Sequence, residues 1–200
     1  MNIIKSIEEL QKIYGEVNEN ALKKETSQLT TEYKKWLEKS QFFAIASCGP
    51  IGLDCSPRGD VRGKLFKIIN DKTIAFPDRK GNNRLDTLKN IVIDNRVSLL
   101  FFITSINETM RINGKAIIST DPELLTKFTV NNTKPKTVMI VTIDAVYFQC
   151  ARALVRSDLW REKGIVNVPT AGQMTKGAAP DFDADTYDAE LKDRQQRTLY

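Results

Sequence analysis

The sequence predicts a mainly β domain with flanking helices (α+β), built around a six-stranded antiparallel β-barrel. Three observations lead there. Between Phe42 and Cys150, short apolar runs alternate with turn signals. Only two short helical stretches interrupt those runs, and the long helices that would alternate with strands in a doubly wound sheet are missing. The first forty residues read as helical and lie outside that strand-rich stretch.

The elements follow in order. Ile3, Ile4, Ile7 and Leu10 keep helical spacing, and a second amphipathic segment carries Leu29, Tyr33, Trp36 and Leu37 among Lys and Glu. Residues 1–40 are therefore expected to be a helical appendage, with Trp36 in the core. The run FFAIASC, Phe42 to Cys48, is strand-like, and GPIG, Gly49 to Gly52, is a turn. Lys64 to Ile69 reads as a strand, Asn70 to Lys72 as a turn, and Thr73 to Phe76 as the returning strand. A short helix is expected from Leu85 to about Ile93. Val97 to Ile103 is a continuous apolar strand, expected to be buried on both faces. Glu108 to Thr120 is a further strand, with Asn113-Gly114 marking a turn or bulge. Asp121 and Pro122 supply an N-cap and a first helical residue. Lys136 to Cys150 forms one long strand or two, with Cys150 in the packing. These elements make up a barrel over residues 41–163. A C-terminal part, 164–200, reads as an arm rich in Gly, Pro, Ala and Thr up to Pro180, then a charged helix from Asp183. The aspartates of DFDADT complement that helix's dipole.

Composition excludes several chemistries. The chain has 200 residues, a net charge of +5 and no histidine. Without histidine there is no Ser-His-Asp or Cys-His machinery, few zinc sites and no proximal-His haem. Three cysteines at spacings that fit no zinc pattern suggest reduced thiols. No apolar run approaches the roughly 20 residues of a membrane span. Glu8 and Glu9 fall where a signal peptide would continue its apolar stretch. A cytoplasmic protein without membrane contact is expected. The positive charge suits an anionic ligand.

Most motifs fail when tested. GDVRGKL, Gly59 to Leu65, has its glycines one residue too close for a phosphate-binding P-loop, and Leu65 replaces the hydroxyl residue. No GxGxxG follows a strand. The aspartates from Asp181 lack the glycine and glutamate of a calcium loop.

The loop in IAFPDRKGNNRLDTL, Ile74 to Leu88, survives. Arg79, Lys80 and Arg84 supply charge, Asn82 and Asn83 supply a helix cap and amide donors, and Gly81 permits close approach. The helix start near Arg84 would aim free N–H groups at an anion, for which a guanidinium fork also suits. The same residues equally suit a solvated basic turn that caps a helix. A second basic cluster, Arg58, Arg62 and Lys64, precedes it, and the strand pair between could bring the two together as a phosphate site; alone it also reads as a solubilising loop. Asp60 and Asp78 flank arginines and can orient them.

SPRGD, the strand pair, IAFPDRKGNNRLDTLKNI, VSLLFFI and ETMRINGKA, in that order, resemble the pyridoxamine 5'-phosphate oxidase-like FMN-binding split barrels. CARALVRSDLW, Cys150 to Trp160, resembles the closing segment of one uncharacterised subgroup. The resemblance runs from about Phe42 to Trp160. It implies a homodimer of six-stranded split barrels with FMN in clefts between subunits. The phosphate would lie on Asn82, Asn83 and Arg84, with Arg79 and Lys80 nearby, and the Arg58 cluster adjoining. Arg62, Lys64, Leu65 and Phe66 would line the flavin ring, with Lys67 at its edge, and Phe76 and Pro77 would approach the ribityl chain. Arg156, Ser157 and Trp160 would reach the partner's flavin. A flavin supplies the redox chemistry, so no catalytic histidine is needed. Authentic pyridoxamine 5'-phosphate oxidases place an Arg and a His on the vitamer, so that activity is in doubt here.

The function expected is an FMN-dependent oxidoreductase acting on a small molecule. The alternatives are a non-catalytic flavin carrier, store or sensor and a binder of the deazaflavin F420. Haem would need a Cys or Tyr ligand. Nucleic acid is disfavoured because few aromatics lie among the basic residues.

Overall fold

A computed structural model describes residues 1–50, 52–162, 164 and 166–200. Three short helices lead: α1 (Ile7–Tyr14), α2 (Glu19–Lys23) and α3 (Thr31–Leu37). The sheet strands are β1 (Phe42–Gly49), β2 (Gly52–Gly59), β3 (Lys67–Asn70), β4 (Thr73–Asp78), β5 (Arg96–Phe102), β6 (Thr109–Ser119) and β7 (Thr137–Gln149). Helix α4 (Asp86–Ile93) follows β4, and α5 (Pro122–Thr126) follows β6. The chain ends in α6 (Arg152–Ser157), α7 (Ala171–Ala178) and α8 (Ala184–Arg197).

The strands form one antiparallel sheet in the order β2-β1-β5-β6-β7-β4-β3. The mainly β split-barrel architecture is thus present, with seven strands instead of six and without closure of the sheet. The additional strand is β2. Its sequence, GLDCSPRG, reads as turn and loop because it mixes Gly, Asp and Pro. It sits at the sheet edge and pairs only with β1, and an edge strand tolerates a proline that cannot donate. Pro77 has a similar licence, because β3 pairs only along Thr73–Ala75 and leaves the end of β4 without a neighbour on that side. Strand β3 also begins later than expected: Leu65 and Phe66 leave the sheet and bury themselves in the core.

β1 and β2 meet with Gly49 opposite Gly52, whose φ of 114° is open to glycine alone. Ile51, in the expected Gly49–Gly52 turn, lies outside the described residues, as do Lys163 at the expected barrel boundary and Ile165 in the expected arm. The expected bulge in β6 is present at Asn113/Gly114. β7 is a single strand of 13 residues. β5 is buried on one face only, through Val97, Leu99 and Phe101, with Ser98, Leu100 and Phe102 half-covered. The expectation of burial on both faces is corrected, because no second layer covers that side completely.

The core is aromatic at its centre. Phe43 stacks on Phe101 at 4.7 Å and meets Phe76 edge-on at 5.0 Å, and Phe66 meets Phe101 at 5.5 Å. Such pairs contribute about 1 kcal/mol each beyond their buried area. Leu29 and Leu37 join the same cluster, with Tyr33 and Trp36 packed against it, so Trp36 serves the core. α1 buries no residue. Cys150 is exposed instead of packed, because β7 ends at Gln149.

The C-terminal region departs most from expectation. The supposed arm contains helix α7, opened by a capping box between Thr170 and Gln173. Gly172 made the stretch look irregular. A Cβ there would lie 2.5 Å from the Ala184 carbonyl, so the glycine permits α7 to approach the start of α8.

Gly114 provides a test of the bulge. A Cβ at this position would lie 2.1 Å from the Thr142 carbonyl oxygen, inside a backbone ladder that has no room to shift. Gly114→Ala should lower unfolding stability in urea by about 3 kcal/mol. Gly81→Ala, where a Cβ meets nothing within 4 Å, should change it by less than about 0.5 kcal/mol.

Candidate functional site

β2 and β4 leave a cleft where their C-terminal ends approach each other across the open side of the sheet. Its volume is about 770 Å³. Ser56 to Asp60 form one wall, and Phe76 to Asp86 the other. Thr87 and Leu88 of α4, the segment Thr133–Lys136 and Tyr200 complete it. Phe43, Leu65 and Phe76 make an apolar floor.

A buried ion pair joins the walls. Arg79 Nε donates to Asp60 Oδ2 at 2.7 Å, with the Asp60 side chain 2% and the Arg79 side chain 15% exposed. Each residue stands one position beyond its strand, so the pair fixes both strand ends. Asp60 Oδ1 accepts from the Val61 N–H at 2.7 Å and the Tyr200 hydroxyl at 2.8 Å. Arg79 Nη1 donates to the Phe128 carbonyl at 2.7 Å, while Nη2 is buried without a hydrogen-bond partner. Arg58 and Asp78 form a second couple. Burial pushes the Asp78 carboxyl up, and the neighbouring Arg58 opposes this. Burial pulls Arg58 down, opposed first by Asp78 and then by Asp54. Arg58 Nε is buried and unpartnered.

The far end of the cleft holds the start of α4. The N-cap of α4 is Leu85, in a left-handed conformation, and no side chain caps the helix. The expected cap by Asn82 or Asn83 is corrected: Asn82 accepts instead from the Arg84 N–H at 3.0 Å, one turn of loop too early. The first N–H groups of α4 therefore remain available at the cleft, with the positive end of the helix dipole behind them. α4 is held to the sheet by Thr87, which donates to Asp54 at 3.1 Å, and by Asn90, which donates to Ser47 at 3.1 Å.

Charge around the cleft is sorted. Arg79 is matched by Asp60, Arg84 by Asp86 and Arg58 by Asp78. Among the described residues, Lys80, Lys134 and Lys136 have no carboxylate partner. Lys134 and Lys136 flank the buried Pro135. The tight turn before them places Asn131 and Asn132 in left-handed conformations and is closed by the Val130–Thr133 bridge.

The structure brings together nine of the expected residues: Arg58, Leu65, Phe76, Pro77, Arg79, Lys80, Asn82, Asn83 and Arg84 all line the cleft. Phe66 lies in the core beneath it. Arg62 and Lys64 occupy an exposed turn, and Lys67 sets its ammonium over the Phe128 ring at 5.9 Å. Arg156, Ser157 and Trp160 do not line this chain's cleft; Trp160 Nε1 donates to the Ile106 carbonyl at 2.8 Å. Sequence reasoning missed the Lys134–Lys136 rim and Tyr200. The Asn-Asn turn with two lysines beyond it was a detectable signal for the rim. Nothing local marks Tyr200.

The sequence profile of the pyridoxamine 5'-phosphate oxidase family matches residues 29–150. No curated protein matches. Solved structures that resemble the chain include HupZ of Group A Streptococcus, at 18% identity and TM-score 0.49, covering 60% of this chain and 93% of that one. General stress protein 26 of Bacillus anthracis matches at 14% identity and TM-score 0.45, covering 57% of this chain and 88% of that one. A structure named F420 reductase matches at 16% identity and TM-score 0.43, covering 59% of this chain and 98% of that one.

Two outcomes test the paired groups. Asp60→Ala strands a buried guanidinium and should cost about 3–5 kcal/mol in denaturant unfolding. The Tyr200 phenol is lifted above its ordinary value by the hydrogen bond to Asp60, then by burial. A raised folded value means the contact is intact below the ordinary phenol range and is lost as pH rises through the folded value. Burial also lifts the Tyr33 phenol, so in an ultraviolet titration Tyr200→Phe should remove one of two components that ionise later than a free tyrosine.

Proposed function

The chain belongs to the pyridoxamine 5'-phosphate oxidase family, and from that membership and the cleft we propose that it binds FMN and acts as a flavin-dependent oxidoreductase on a small organic substrate. The family is of the flavin- or nucleotide-binding oxidoreductase type. The observation that carries the proposal for this chain is the uncapped start of α4, opening on a cleft rimmed by lysines without partners.

The donor set fits the cofactor. A phosphate dianion suits the free N–H groups of α4, the Asn82–Arg84 loop and Lys80. Arg84 is ion-paired with Asp86, so it would hold the loop and share its charge instead of meeting phosphate as a free cation. An apolar ring system suits Phe43, Leu65, Phe76 and Pro77. When bound, flavin supplies the electron-transfer chemistry. The protein's residues anchor the phosphate, exclude water from the ring and set the local charge. The expected roles of Arg62, Lys64, Phe66 and Lys67 along the ring belong to this proposal only where a bound cofactor reaches beyond the cleft's present lining.

In the same proposal the barrel, residues 41–163, carries the cofactor, while the terminal parts, 1–40 and 164–200, flank it, the first adding α3 to the core and the second Tyr200 to the cleft. The working unit is a cytoplasmic homodimer in which Arg156, Ser157 and Trp160 face the partner's flavin. Free cysteines are in keeping with a reducing compartment. Oxidation of pyridoxamine 5'-phosphate itself is left out, because the chain has no histidine. The F420 alternative draws on one feature: Lys134 and Lys136 extend the positive rim beyond what one phosphate needs.

The purified protein should show the two visible bands of oxidised flavin and release FMN identified by mass. A released deazaflavin would move the assignment to F420. A colourless protein that refuses added FMN would remove it. Lys80→Ala and Lys134→Ala should each weaken FMN binding about fivefold, on the order of 1 kcal/mol, with the effect shrinking as salt is raised.

A further inference from the structure

One segment reaches into the cleft from outside the barrel. Beyond α8, Tyr200 lines the cleft. Its hydroxyl donates to Asp60 Oδ1 at 2.8 Å, and its ring centre lies 5.5 Å from Arg79 Cζ. Arg79 uses Nε on Asp60 and Nη1 on the Phe128 carbonyl, and keeps Nη2 buried and unpartnered. A buried guanidinium N–H without an acceptor is costly. Its natural acceptor is an anion, and the ring lies over the guanidinium that an anion would need to meet.

We propose that Tyr200, carried by the α7–α8 pair, is a strap closed over Arg79, and that an anionic ligand reaches Arg79 Nη2 only when this strap lifts. The identity of the anion as the FMN phosphate rests on the function proposed above; the strap does not.

Three features make the strap releasable. Among the described residues, the Tyr200–Asp60 bond is the one hydrogen bond joining residues 166–200 to the barrel. The pair behind it is tied internally, since Asp188 accepts from the Gly172 N–H at 2.7 Å and from the Thr170 hydroxyl, so it moves as a unit. Residues 166–170, which lead into α7, have no regular secondary structure, and Gly164 before them has φ 69°. Release leaves the barrel clasped, because Asp60 retains Arg79 Nε and the Val61 N–H.

The test compares wild type, Tyr200→Phe and Tyr200→Ala in the full chain. Without ligand, arginine modification by phenylglyoxal is followed at each residue by peptide mass spectrometry. Arg79 should react about tenfold faster in Tyr200→Ala than in wild type, with Tyr200→Phe between them. Equal rates at Arg79 overturn the strap, whatever FMN does. FMN should then associate about tenfold faster with Tyr200→Ala at an unchanged melting temperature. Unchanged or slower association makes Tyr200 a fixed wall of the site and overturns the proposal. If none of the three proteins binds FMN, pyrophosphate is the probe, read by its protection of Arg79. Stronger protection in Tyr200→Ala than in wild type keeps the strap and removes only the FMN assignment; no protection in either overturns competition for an anion.

Discussion

An open antiparallel sheet has two free ends, and here a buried ion pair brings them together. β2 lies at one end of the order and the β4–β3 pair at the other, with no backbone ladder between them. Asp60 and Arg79, each just beyond its strand, close the gap at 2.7 Å. The Asp60 carboxylate is satisfied by two side chains and one backbone N–H, which is what lets a charge stay in a site 2% exposed. Arg79 adds the Phe128 carbonyl, so the same guanidinium fixes the loop beyond α5. Both walls of the cleft and part of its rim hang on this one contact. Removing either partner would leave the other charge buried, so a pair of modest net value becomes structurally indispensable.

Arginine and lysine divide the work around the cleft. Arg79 and Arg84 each have an aspartate in contact, and Arg58 has Asp78 within electrostatic reach. A planar fork holds geometry well, so these couples shape the walls while contributing little net field. Lys80, Lys134 and Lys136 are left with their charges uncompensated, and the start of α4 adds its free N–H groups. The uncompensated positive charge therefore sits on the residues that do least to hold the fold. This separation leaves the cleft of a chain with a net charge of +5 with three uncompensated lysines.

Much of this was legible in sequence, for physical reasons that also define the failures. β1, β5 and β7 announce themselves as apolar runs, and the Asn113-Gly114 bulge by a glycine that packing demands. β2 was illegible because an edge strand can be built from residues that look like a turn. α7 was hidden by Gly172, which serves helix contact and not irregularity. In the cleft, the basic loop from Arg79 to Arg84 could be found locally, since charge, glycine and a helix start coincide within six residues. Its internal wiring could not. Asn82 looked like a cap, yet the left-handed turn at Leu85 moves the helix start beyond its reach. The lysine rim and Tyr200 are brought in by topology from 50 and more positions away, and no local pattern encodes such an approach.

The two oxygens of Asp60 give different things to the molecule. Oδ2 takes Arg79 and holds the sheet ends together; Oδ1 takes Tyr200 and the Val61 N–H. Loss of the Tyr200 contact leaves Oδ1 still served by backbone and Oδ2 untouched. Access to the cleft can therefore change without loosening the barrel, provided the segment that closes it is tied at few points. Among the described residues the α7–α8 pair meets that condition: it is packed within itself through Gly172 and Asp188, and one hydrogen bond, from the Tyr200 phenol, joins it to the barrel. In the proposed strap, a clasp and a latch share one carboxylate, so the fold's stability and the exposure of Arg79 Nη2 are set separately.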